Sequence, residues 1–162
     1  MRAEIRLDDA EVRKALQTMA RRVRDTTPAM AAVARALKTR VDLGFRAGRD
    51  PYGTPWTPLR SREGQPLRKS GRLMRSIRAR HSRDEAVVGT NLVYARVHQF
   101  GAVIRPRRAK VLRFRVGERW VSKRQVTIPA RPFLPDAERG LPEAWRRKVL
   151  AVVARHVTGG EA

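Results

Sequence analysis

The sequence contains no cysteine, which excludes disulfides and thiolate metal sites. Histidine is scarce as well. His81, His98 and His156 are the full set, and no two of them stand at the spacing of paired metal ligands, so no metal site is expected. Acidic side chains number 15 in 162 residues. Several have local explanations: Asp8, Asp9 and Glu11 open a helix, Asp84-Glu85 sit in a turn, and Asp136 precedes the last helix. A catalytic constellation therefore lacks members. His98 is the one tempting general base, yet His98-Gln99-Phe100 reads better as a packed, locally hydrogen-bonded segment. Neither a phosphate-cradling loop nor a dinucleotide-binding glycine turn is present. No cofactor and no enzymatic activity are expected, and a small hydrolase built on His98 is a remote alternative. No stretch approaches the ~20 apolar residues of a membrane span. Met1 to Arg6 lack the apolar run of a signal peptide, so a cytoplasmic origin is expected.

What the chain has in excess is positive charge. It carries 37 Lys and Arg, for a formal net charge of +22. A compact chain so charged repels itself and attracts polyanions, so nucleic acid or acidic protein surfaces are its expected neighbours. The excess is clustered. Arg60 to Arg83 holds nine basic residues against Glu63, and Ile104 to Arg131 holds ten against Glu118. Clusters of this kind bind phosphate backbones with strong salt dependence. No helix-turn-helix, RRM or zinc-finger signature accompanies them, so any DNA contact is expected to ignore sequence. A solvated or partner-facing basic surface is the competing reading.

Apolar spacing predicts the elements. Asp8-Asp9-Ala10-Glu11 resembles a capping box, followed at helical intervals by Val12, Leu16, Met19 and Val23. Thr27-Pro28 starts a second helix striped by Met30, Val33, Ala34, Leu37, Val41 and Phe45. The two helices are expected to bury their stripes on each other or on a sheet. From Gly48 to Gly71 repeated Gly and Pro forbid regular structure, leaving a long loop. Ser70 can cap a short helix with Leu73, Met74 and Ile77. Arg78–Arg83 and Ala86–Thr90 flank Asp84-Glu85 as a hairpin. Tyr94–Phe100 is a helical turn stopped by Gly101. Val111–Val116 and Trp120-Val121 flank Gly117-Glu118 as a second hairpin, and Thr127-Ile128 is a further strand. Pro142 opens a last helix with Trp145, Val149, Val152 and Val153. The fold class is α+β: two N-terminal helices, a central antiparallel β-rich region with long loops, and a C-terminal helix. We read one domain over 1–162, divided into helices 1–47, the Pro/Gly-rich loop 48–71, a β-rich region 72–134 with its basic hairpin, and a helix with tail over 135–162.

The punctuating residues form a series. Phe45 precedes Asp50-Pro51-Tyr52-Gly53-Thr54-Pro55-Trp56-Thr57-Pro58-Leu59. Leu67-Arg68-Lys69-Ser70-Gly71-Arg72-Leu73 and Ser76-Ile77 follow. Val88-Gly89-Thr90-Asn91 leads to Tyr94-Ala95-Arg96-Val97-His98-Gln99-Phe100-Gly101, and Ile128-Pro129-Ala130-Arg131-Pro132-Phe133-Leu134 precedes the last helix. In this order the pieces resemble the phage virion morphogenesis family, the tail-completion proteins of Mu-like and related tailed bacteriophages. The resemblance covers roughly Phe45 to Leu134, and the Arg-rich segment Arg105–Arg124 matches no shared pattern.

That resemblance implies a structural virion protein of the neck or tail end, made in the host cytoplasm, that joins the filled head to the tail. The implied partners are further copies of the chain in a hexameric ring, the head–tail connector, and tail terminator or tube proteins. Packaged DNA is a further candidate, and no membrane is involved. The alternative is a basic accessory protein binding DNA without regard to sequence. Tyr52, Trp56, Arg131, Phe133 and Leu134 are candidate interface residues, since aromatics and Arg favour interface cores. Trp56 could equally cover its own domain's core, and Arg131 could clamp a carboxylate or carbonyl. Tyr94, His98, Gln99, Phe100 and Gly101 are read as a structural motif. Arg105, Arg107, Arg108, Lys110, Arg113, Arg115, Arg119, Lys123 and Arg124 are candidate contacts to DNA or an acidic partner. Leu112, Phe114 and Val116 alternate with Arg113 and Arg115, so this hairpin is expected to project with one apolar and one cationic face.

Overall fold

A computed structural model describes residues 9–59 and 63–160. Met1–Arg6, Asp8, Arg60 and Arg62, each used above, lie outside the described residues. The order is α1 (Ala10–Arg24), α2 (Thr27–Ala47), α3 (Arg72–Ser76), β1 (Arg78–His81), β2 (Ala86–Gly89), α4 (Ala95–Phe100), β3 (Ala102–Ile104), β4 (Leu112–Val116), β5 (Arg119–Lys123), β6 (Val126–Ile128) and α5 (Glu143–Thr158). Helices at both ends enclose a central antiparallel region, which is the α+β class. The described strands do not merge into one sheet. They pair as three two-stranded ladders, β1–β2, β3–β6 and β4–β5. The strand β3 has no counterpart in the sequence reading, because three residues after a helix carry too little periodicity to announce it.

Helix α2 organises the core. Pro28 occupies its first turn, where no amide donor is needed, and Ala29, Val33, Ala34, Val41 and Phe45 are buried along it. These side chains pack onto α5 and across the β1–β2 hairpin. At its C-terminal end the amide of Gln65 donates to the carbonyls of Phe45 (2.8 Å) and Arg46 (3.2 Å). Those carbonyls would otherwise be without partners in the last turn.

Helix α1 departs from expectation twice. Asp9 is the residue before its first turn, but the carboxylate makes no cap hydrogen bond; it pairs instead with Arg13 at 2.7 Å. The apolar stripe does not meet α2 either. No α1 residue is buried, and Leu16 is 59% exposed. The helix touches the body near its C-terminal end, where His156 Nε2 lies 2.9 Å and 3.0 Å from the carbonyls of Arg22 and Asp25. A helix of 15 residues is marginal alone in water, so α1 lacks the burial that normally supports one.

Val41, Phe45, Trp56, Leu73, Ile77, Ala95, Phe133 and Trp145 form the main core cluster. Phe45 is fully buried. Its ring meets Trp56 edge-on (5.4 Å between centroids, 73°) and Phe133 at a tilt (5.4 Å, 42°). Phe45→Ala should therefore cost about 3–5 kcal/mol, the range for truncating a buried Phe. Urea unfolding measures it, and a loss below ~1 kcal/mol would mean that Phe45 is not central to the core.

Candidate functional site

The Pro/Gly-rich loop is ordered by its own residues. The Asp50 carboxylate accepts from the amides of Tyr52 (2.9 Å) and Thr54 (2.8 Å), and the Asp50 amide donates to the Thr54 carbonyl. Trp56 then enters the core, and its indole Nε1 donates to the Pro132 carbonyl at 2.7 Å. Arg131 answers from the other segment: Nε donates to the Thr57 carbonyl (2.8 Å) and Nη2 to the Pro58 carbonyl (3.2 Å). Burial lowers the pKa of this guanidinium, which still remains a cation. Gln99 completes the tie. Its Oε1 accepts from the amides of Phe133 (3.0 Å) and Leu134 (3.1 Å), and its Nε2 donates to the Leu134 carbonyl (2.8 Å).

For three of the five candidate interface residues these contacts are a correction. Trp56, Arg131 and Phe133 are buried inside their own chain, and Leu134 is half-buried against the core. The Tyr52 hydroxyl accepts from the Asp136 amide (3.0 Å) and donates to the Gly140 carbonyl (2.7 Å), with the Arg139 guanidinium 3.5 Å from the ring centroid. The reason is valence: backbone in proline-rich segments cannot pair into ladders, so its carbonyls take side-chain donors from the facing segment. Of the two readings of Trp56, the structure bears out the one in which it covers its own core. Arg131 clamps carbonyls, not a carboxylate.

The motif on α4 divides. Gln99 is buried, and Tyr94 meets His98 edge-on (5.9 Å, 84°). His98 Nδ1 is buried with no hydrogen-bond partner among the described residues. Gly101 has φ +74°, and a Cβ there would stand 2.9 Å from the Ala130 nitrogen, so β3 can lie against this segment only with glycine at the bend. Phe100 is the exception, because it is 70% exposed and packs no core. It borders a groove lined by Leu92, Ala95, Leu134 and Pro135, and Val93 (93% exposed), Val103 and Ile104 are further exposed apolar side chains of the same stretch of chain.

The basic residues sit apart from this core. Arg105, Arg107, Arg108, Lys110, Arg113, Arg115, Arg119, Lys123 and Arg124 are all exposed. Strands β4 and β5 turn at Gly117-Glu118, with Gly117 at φ +61° as the first residue of a two-residue turn. They pack chiefly on each other, so the hairpin projects from the body. Its register puts Arg113 opposite Ser122 and Arg115 opposite Trp120 on one exposed face. The other carries half-buried Leu112, Phe114, Val116 and Val121 together with exposed Arg119 and Lys123, so it is apolar in the middle and cationic at its ends, not the purely apolar face expected. The sequence reading missed Trp120 as a member of the cationic face, although the hairpin register alone would have placed it there. Among the described residues no carboxylate is within ion-pair distance of these cations. Among those residues, too, no group of His, Asp and Glu is placed to hold a metal ion, and no helix is long and apolar enough to cross a membrane.

Two substitutions report on the tie. Arg131→Met removes both donors to the loop carbonyls and should cost about 2–3 kcal/mol. Arg131→Lys should not restore it, since an ammonium does not reproduce the planar fork; full stability in either variant by urea unfolding would contradict the clamp. His98 gives a pH signature. Burial first, and Arg131 second, hold its pKa below the ordinary 6.5. As pH falls below 6.5 the unfolded chain takes up a proton that the folded chain disfavours, so stability drops until the lowered folded value is passed. Melting temperature should fall as pH is lowered through the ordinary histidine value of 6.5, and less so in His98→Gln; identical slopes would contradict this role.

Comparison with known proteins agrees with this series of segments. The chain matches the model of the Phage virion morphogenesis family over residues 7–158. It is 35% identical over 132 residues to the Mu-like prophage FluMu G protein 2 of Haemophilus influenzae, an overlap covering 81% of this chain and 82% of that protein. No solved structure matches. With nearly the whole chain inside the family's span and the tied loops lying within it, this protein belongs to the phage virion morphogenesis family.

Proposed function

We propose that the chain is a structural protein of the phage neck that completes the tail and joins it to the DNA-filled head. In this reading it acts as one subunit of a ring around the DNA channel, hexameric to match tail symmetry. It performs no catalysis. The supporting observation is that a member of a virion morphogenesis family leaves large apolar side chains unburied on two elements, the α1 stripe and the Phe100 patch. Contiguous exposed apolar surface marks contact sites. Neighbouring copies, the connector and the tail terminator or tube proteins are the proposed occupants. The basic hairpin faces an anionic neighbour, either DNA in the channel or an acidic connector surface. A second reading, an accessory protein acting on free DNA, draws on the same hairpin. Mass measurement separates them: a closed oligomer favours the neck, and tight binding to linear DNA by a monomer favours the accessory role.

Charge reversal at Arg113 and Arg115 tests the hairpin's part. Exposed charges contribute little to stability, so melting should be unchanged. Heads and tails should then fail to join, or joined particles should leak DNA, as counted by electron microscopy. Joining and DNA retention at wild-type levels would show the cationic face to be solvated surface. For the ring itself, a reconstruction of the particle neck should show several copies of this chain related by rotation about the tail axis. A single asymmetric copy would contradict the proposal.

A further inference from the structure

The cationic face of the β4–β5 hairpin is not made of charge alone. Trp120 is 63% exposed in the middle of it, directly across from Arg115, and the Arg113 guanidinium lies 5.1 Å from its ring centroid. The other tryptophans, Trp56 and Trp145, are 5% and 7% exposed and belong to the core. Leaving an indole in water is costly, and beyond its cross-strand contact with Arg113 this one is left largely open, while the hairpin's apolar side chains occupy the opposite face. A bare cationic strip would suffice to attract an acidic protein surface. A large flat ring held among guanidiniums supplies something else, a stacking platform, and the pairing of such platforms with a basic groove is how single strands are bound without sequence preference.

We infer that this face is a nucleic-acid site. The Arg113 and Arg115 guanidiniums take backbone phosphates and Trp120 stacks on a base. The required ligand has an accessible base face, either an unpaired base or the terminal pair of a duplex. No base-edge donor or acceptor is called for, in keeping with the absence of a sequence-reading motif. Arg113 serves twice, as a phosphate contact and as the cation that steadies the indole. The inference rests on the reading of the hairpin as an anion-facing element and narrows its neighbour to nucleic acid.

Tryptophan emission provides the test, because Trp120 is the exposed indole. The full-length protein is titrated with an oligothymidylate, with an abasic oligomer of equal length, and with polyglutamate. The oligothymidylate should quench the emission and bind about tenfold more tightly than the abasic chain. Trp120→Ala should melt normally and bring the two affinities together, Trp120→Phe should keep part of the difference, and Trp120→Phe should also lose the quenching. Replacing Arg113 and Arg115 by Gln should lower the slope of log affinity against log salt by about 1.4. Equal binding of normal and abasic chains would overturn the stacking site while leaving the hairpin an anion-facing element. Preference for polyglutamate would overturn the choice of nucleic acid. No binding to any of the three would overturn both this inference and the anion-facing reading beneath it.

Discussion

Everything else in the fold depends on how two segments without regular structure, 49–59 and 129–134, are held together. Beyond one bridge between Arg49 and Pro55 neither forms a ladder, since proline removes donors and fixes the backbone. The chain joins them through side chains: Trp56 to the Pro132 carbonyl, Arg131 to the carbonyls of Thr57 and Pro58, and Gln99 to three backbone atoms of Phe133 and Leu134. The rings of Trp56 and Phe133 both pack on Phe45. The ties are buried or part-buried, where a hydrogen bond is stronger than in water and leaving a group unpaired is expensive. The ends of α2, the start of α5 and the helix α4 are thereby set relative to one another.

Using those residues internally determines what is left for assembly. Trp56, Phe133 and Arg131 of the tied segments face inward, so under the proposed assembly subunit contacts would use other surfaces. The chain offers them where folding has no use for them: the stripe of α1, the apolar surface around Phe100, and the projecting hairpin. Such a division suits a protein that must be stable before its neighbours arrive and join them afterwards. The core carries stability, and in the proposed assembly the unburied surfaces carry association.

Much of this was legible in the residues. Helix α2 announced itself through Pro28 and a stripe ending at Phe45, and both hairpins through alternation around polar turns. The last helix began where Pro142 said it would. The segment order also carried the family. What the sequence did not disclose was direction. Trp56, Arg131 and Phe133 have the composition of an interface anchor and of a core alike, and only distant partners decide between them: carbonyls more than 70 positions away for Trp56 and Arg131, and the Phe45 ring for Phe133. Phe100 shows the converse, an apolar residue in a packed motif whose ring points outward. The α1 stripe has the period of a buried helix, but period reports that a face is apolar and not what covers it. Strand β3 depends on pairing with β6, a tertiary fact that three residues cannot encode locally.

The central claim is that the tied segments build the subunit while α1, the Phe100 surface and the hairpin build the assembly. Hydrogen–deuterium exchange on the free chain and on the same chain in intact particles tests it most directly. Amides of 49–59 and 129–134 should be equally protected in both, and new protection in particles should appear at α1, around 93–104 and along 112–123. New protection confined to 49–59 and 129–134, with α1 and the hairpin exchanging as in the free chain, would contradict it.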